Sequence, residues 1–119
     1  MREIKLTALQ QEILEHRFDV SDAILESCEA EVTEADIAEV RQIVKGAFDP
    51  ATLTDQQFMV LANALSCTTF LGCAEDAVHR REISRQYVTA CWRSYDAMFD
   101  SIRDNVTDTD RLKYLFRCA

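Results

Sequence analysis

The stretch ISRQYVTACWRSYDAMFDSI, residues 83–102, decides the fold. With successive residues about 100° apart around a helix, its apolar side chains gather on an arc that covers nearly half of the circumference. Such an arc is wider than the stripe of a minimal surface helix. We therefore predict a helix over about 80–105 that is central in a bundle or also meets a partner. The arc contains Ile83, Tyr87, Cys91, Tyr95, Met98 and Ile102, extended by Val88, Trp92 and Phe99.

The stretch before it, QQFMVLANALSCTTFLGCA at 56–74, carries no charged residue over 19 positions. That length is close to what a transmembrane helix requires. However, scattered Gln, Asn, Ser and Thr residues dilute it, and neither an aromatic belt nor a basic flank follows. We therefore expect a buried bundle helix from about residue 55 into the 70s, and no membrane span.

Threonine residues mark the helix starts. Thr7, Thr33 and Thr54 each stand three positions before a side chain that can accept a hydrogen bond, which is the arrangement of a capping box. The partners in these boxes are Gln10, Asp36 and Gln57, and the candidate caps for two further helices are Ser21 and either Thr107 or Asp108.

The apolar spacing between these starts completes the set of helices. It predicts a first helix that reaches Phe18, a short second helix around Ile24, Leu25 and Cys28, and a third that ends near Gly46 as its C′ residue. A loop at 48–50 and a last helix over 108–117 follow. The chain has only two glycines and one proline, as expected of helices. We predict an all-α fold, a single-domain bundle of five or six helices over residues 1–119.

The formal charge of −8 is concentrated in the first half of the chain. Residues 1–50 hold twelve carboxylates against five Lys and Arg, a net of −7, and residues 51–119 hold nine against eight, a net of −1. A surface of this sign repels phosphate backbones, which argues against direct nucleic-acid binding and favours a partner with a basic surface. Solubility alone is the competing explanation.

Two segments loosely resemble the first helix and the recognition region of sigma-factor-type regulators: LTALQQEILEHRF (6–18) and VTEADIAEVRQIV (32–44). The resemblance implies a helix-turn-helix that binds DNA. However, the recognition-like helix carries Glu34, Asp36 and Glu39 against only Arg41 and Lys45, whereas a helix that reads a DNA groove needs the opposite balance. We do not assign the chain to that class.

The cysteines indicate a reducing compartment. There are five, an odd number, without a Cys-x-x-Cys motif, and the N-terminal MREIKLTALQ lacks the apolar core of a signal peptide. We therefore predict reduced thiols and a cytoplasmic location. Cys73 and His79 lie six positions apart, which turns them about 120° from each other on a helix, so we expect packed cysteines and not a thiol nucleophile.

Both histidines have carboxylate neighbours, the spacing from which metal sites in helical bundles are built. Glu12 and His16 are spaced i,i+4, and Asp76 and His79 are spaced i,i+3. A bundle di-iron site needs two Glu-x-x-His motifs and two further Glu residues, and this chain has no Glu-x-x-His. We predict neither a metal nor a cofactor.

A row of carboxylates within 14 residues, across the predicted second and third helices, remains as the candidate site. It would attract a basic groove and speed association, although a merely solvated surface has the same pattern. We predict a non-enzymatic protein–protein interaction module, an acidic inhibitor, immunity or anti-defence protein that binds a larger protein. The alternatives are a structural homo-oligomer and a metal-dependent helical enzyme. The row consists of Glu26, Glu29, Glu31, Glu34, Asp36 and Glu39.

Overall fold

The computed structural model describes residues 3–19, 24–26, 32–65 and 84–118, with Arg17 as backbone alone. These residues confirm the predicted all-α bundle, and residues 24–26 are helical within the predicted second helix. Among them the one β-type pairing is a bridge between Ile4 and Phe48. The helices are α1 (Ala8–Phe18), α2 (Glu34–Ile43), a 3-10 helix (Pro50–Thr52), α3 (Asp55–Leu65), α4 (Arg85–Asp104) and α5 (Thr109–Cys118).

All three predicted capping boxes are confirmed. In each box, the threonine hydroxyl accepts a hydrogen bond from the backbone N–H of the residue three positions later. The side chain of that residue in turn accepts a hydrogen bond from the threonine N–H, and all six bonds measure 2.9–3.4 Å. Of the two candidates before the last helix, Asp108 is the cap, because its carboxylate accepts the N–H groups of Asp110 and Arg111 at 2.8 and 3.1 Å. Ser21 lies outside the described residues.

Two predicted helix bounds are wrong. The helix expected from about residue 80 begins at Arg85, because Ser84 is extended and its hydroxyl caps the helix by accepting the N–H of Tyr87. The helix expected to end near Gly46, with that glycine as its C′ residue, ends one residue earlier at Ile43 with Val44 as its C-cap, and the backbone of Gly46 is outside the left-handed region. The predicted continuation of α3 into the 70s lies outside the described residues.

The centre of the bundle is α3. It packs against α2 on one side and α5 on another, and it also contacts α1. Seven of its eleven residues are buried, including Asn63 at 3% exposure. The Asn63 side chain donates to the hydroxyl of Tyr114 at 2.7 Å and so joins α3 to α5. In the described residues no helix has the length and apolar character needed to cross a membrane.

The long helix α4 is buried along one side only, where it packs against α1. Of the predicted apolar arc, Val88, Cys91, Tyr95, Met98 and Ile102 are buried, Trp92 and Phe99 are half-buried, and Tyr87 is exposed. Tyr87 lies in the first turn at the edge of the arc, so periodicity alone overstates its burial. Ile83 lies outside the described residues.

Candidate protein-binding surface

The side of α2 that faces away from the bundle has a glutamate at each border, with two alanines and a glutamine between them. Ile37 and Val40 anchor the opposite side in the core. Around the helix axis, Glu34 and Glu39 are about 140° apart, and Ala35, Ala38 and Gln42 lie between them. We name this surface the α2 outer face, and it consists of the exposed residues Glu34, Ala35, Ala38, Glu39 and Gln42.

Asp36 is committed to the start of the helix. Its carboxylate accepts the backbone N–H of Thr33 at 2.9 Å and the Thr33 hydroxyl at 3.2 Å. The side chain is therefore turned toward the helix N-terminus, where a negative charge is favourable. By contrast, the carboxylate of Glu39 accepts a single hydrogen bond of 3.0 Å from the side chain of Gln57 in α3.

The structure describes four of the six carboxylates of the predicted row, and these four lie in different environments. The structure brings Glu34 and Glu39 onto one face of α2, and it shows Glu26 exposed in the helical residues 24–26. Glu29 and Glu31 lie outside the described residues. Ala35 and Ala38 were missed by sequence reasoning that counted charges, although their helical spacing already places them between the two glutamates.

Arg41 holds α2 in a fixed orientation on α1. Its guanidinium donates to both carboxylate oxygens of Glu15, at 2.9 Å from Nε, and to the carboxylate of Asp19 at 2.6 Å. These bonds favour the charged form, so the pKa of Arg41 is raised above its ordinary value. The cation at the edge of α2 is therefore opposed by two carboxylates, which leaves the α2 outer face negative.

In the described part of the chain, no side chains form the thiol-nucleophile site or the metal site that were considered from the sequence. Cys91 is buried, and burial raises the pKa of its thiol, so the neutral form prevails at neutral pH and is a poor nucleophile. His16 and Glu12 are exposed on α1, and no group of three metal-ligating side chains occurs among the described residues. Cys73, Asp76 and His79 lie outside those residues.

A groove of about 340 Å³ lies between α3 and α5, and one of the protein's own side chains occupies its polar contacts. Arg111 donates to the carbonyl of Leu53 and to Asp55, both at 2.8 Å. Its guanidinium also lies 5.1 Å from the ring centroid of Phe58. Arg111 thus joins α5 to the start of α3 across this groove.

Comparison of the chain with protein-family models, with curated proteins and with solved structures finds no match in any of the three.

Proposed function

We propose that this protein is a non-enzymatic interaction module that binds a basic surface of a larger protein through its α2 outer face. The observation that carries the proposal is the placement of Glu34 and Glu39 on one exposed face, with two alanines and Gln42 between them. Carboxylates at the border steer a basic partner, and the alanines allow its backbone or side chains to approach closely.

The charge distribution supports this proposal. The α2 outer face lies in the half of the chain that holds −7 of the formal charge of −8. Exposed charges act over about 8–10 Å at physiological ionic strength, so exposed carboxylates within that distance of the face would add to its potential. A basic partner would associate faster than a neutral one, and added salt would reduce the advantage.

The rigidity of α2 supports it as well. The capping box at Thr33 fixes the start of the helix, and the ion pairs of Arg41 fix its rotation relative to α1. A preformed face loses little conformational entropy when it binds. Inhibition of the partner and a cytoplasmic location are further parts of the proposal. The location is supported by an odd number of cysteines, of which Cys91 and Cys118 are not in a disulfide bond.

The test is charge reversal on the face, with a matched control elsewhere. The double variant E34K/E39K and the control E3K/D96K each change the formal charge from −8 to −4, since two reversals add +2 each. Glu3 and Asp96 are exposed and lie outside α2. Immobilised wild-type protein and both variants would be used at low salt to capture proteins from the native host, followed by mass spectrometry and direct affinity measurement with the purified capture.

We expect a specific partner to be retained by the wild type and by the control but weakened about tenfold or more by E34K/E39K. The affinity for wild type should fall as salt is raised. If both double variants bind every captured protein equally, or if binding is insensitive to salt, the α2 outer face is not the binding surface.

A further inference from the structure

We propose that α5 is a strap that opens and closes as a unit while the other described helices stay folded. The observation behind the proposal is burial. Helices α3 and α4 bury seven and five side chains, and α2, which has the same length as α5, buries two. Of the ten residues of α5, only Leu115 is buried, at 1% exposure. Because a helix is held on its neighbours mainly by buried apolar side chains, α5 has the weakest hold among these four helices.

The hydrogen bond that joins α5 to the centre of the bundle is one that water can replace. Asn63, which is 3% exposed on α3, donates to the Tyr114 hydroxyl at 2.7 Å and to the carbonyl of Met59 in its own helix at 2.9 Å. When α5 leaves, Asn63 keeps the bond to Met59, and water takes the place of the bond to Tyr114. A hydrogen bond that is exchanged for water contributes little net free energy.

The contacts of Arg111 at the edge of the groove between α3 and α5 have the same character. Arg111 donates to the carbonyl of Leu53 and to the carboxylate of Asp55, both at 2.8 Å. The Asp55 side chain is 78% exposed, so water and salt screen this ion pair. The attachment of α5 thus combines one fully buried anchor with polar groups that become solvated once the helix opens.

The connection between α4 and α5 allows α5 to move together with its own cap. Val106, at 6% exposure, fixes the connection in the core, and the next residue, Thr107, is exposed. Asp108 then caps α5 through the N–H groups of Asp110 and Arg111. The cap is therefore part of the moving unit, whose boundary lies at Thr107.

Opening turns α5 into an isolated helix of ten residues, which is marginal in water, so α5 unfolds as it leaves. It uncovers the side of α3 that carries Asn63 and Phe58. Such a sub-global opening sets the rate at which the amides of α5 exchange with solvent. The inference does not depend on the proposed function, because it concerns α5 and not the α2 outer face.

The test is residue-resolved amide hydrogen exchange of the full chain, followed by NMR under native conditions. We expect the amides of residues 112–116 to share one protection factor, at least about tenfold below that of the slowest amides of α3. Y114F removes the hydroxyl that accepts from Asn63, so it should speed exchange in α5 about three- to tenfold and leave α1 and α3 unchanged. L115A removes the buried anchor and should speed exchange in α5 by about a hundredfold or more.

The matched control is I13V, a mild change of a buried side chain in α1. It should speed the slowest amides, which exchange through global unfolding, and leave those of α5 unchanged. The proposal is overturned if α5 is as protected as α3, if protection falls gradually along α5, or if Y114F speeds exchange in α1 and α3 by the same factor as in α5. The comparison of Y114F with I13V decides the matter even if L115A does not fold. Partner capture through α2 is measured separately, so the two proposals can fail separately.

Discussion

Replacing Gln10 with Glu tests how α1 is attached to α4. Gln10 is 8% exposed and makes two kinds of bond. Its Oε1 accepts the N–H of Thr7 at 2.9 Å in the capping box, and its Nε2 donates to the carbonyl of Ser94 at 3.0 Å. Glu is equally suited to the capping box, so Q10E preserves the first bond and removes the second. A carboxylate oxygen would then face the Ser94 carbonyl oxygen in a buried site.

The expected cost of Q10E is about 2–4 kcal/mol at neutral pH. Loss of the bond to Ser94 contributes about 1 kcal/mol, and an unpaired buried acceptor contributes about 1–3 kcal/mol more. Such a sum is a large fraction of the roughly 5–15 kcal/mol by which small domains are stable. The matched control is Q57E, because Gln57 holds the same position in another capping box but its amide bonds to Glu39 in an exposed site. It should cost less than about 1 kcal/mol.

Acid should relieve the penalty of Q10E. A protonated Glu can donate to the Ser94 carbonyl, as the amide does, so the native state favours the neutral form and the pKa of the new carboxyl is raised on folding. Its stabilising contribution is present at pH values below the unfolded pKa and is lost as the pH rises through the folded pKa. The difference in unfolding free energy from wild type should therefore grow between about pH 4 and pH 7, by at most about 1.4 kcal/mol per pH unit.

Urea unfolding, followed by far-UV circular dichroism at several pH values, measures these free energies for the wild type, Q10E and Q57E. Two results are compared: the difference in unfolding free energy between Q10E and Q57E at neutral pH, and the change of that difference with pH. If Q10E costs no more than Q57E, or if its cost is independent of pH, the amide of Gln10 does not hold α1 against α4.

Two other predictions use the same unfolding assay. R41A should lose about 1–2 kcal/mol, less at high salt, because Arg41 joins α1 to α2, whereas R103A, whose ion pairs with Asp100 and Asp104 stay within one helix, should lose about 0.5 kcal/mol or less. Equal losses would contradict the role given to Arg41. Because burial raises the pKa of the Cys91 thiol, the unfolded state loses that proton first, and stability should fall as the pH rises above about 9 by at most about 1.4 kcal/mol per unit. C91A should flatten this decline, and an unchanged slope would show that Cys91 does not cause it.

Helix starts could be predicted from the sequence because their chemistry is local. A threonine hydroxyl and a side chain three residues later satisfy each other's backbone N–H groups wherever the rest of the chain lies. The boxes that begin at Thr7, Thr33 and Thr54 therefore required no knowledge of the fold. The end of α2 had no such signal, since Gly46 permits a left-handed turn but does not require one.

Contacts between distant residues could not be predicted in this way. Gln10 and Ser94 are 84 positions apart, and Arg41 and Glu15 are 26 apart, so no spacing rule relates them. Tyr87 shows a different limit: periodicity gives its angle around α4 but not whether another helix covers the first turn. The polar contacts between helices are thus the part of the fold that cannot be predicted from a single sequence.

The sequence predicted the negative charge of the candidate site but not its geometry. A count of carboxylates treats Asp36 as equal to Glu39, yet the capping box had already committed Asp36 to the helix terminus. The two alanines carry no charge and so were not counted, although they lie between the two glutamates on the exposed side of α2. A helical projection that includes small exposed residues would have identified the face.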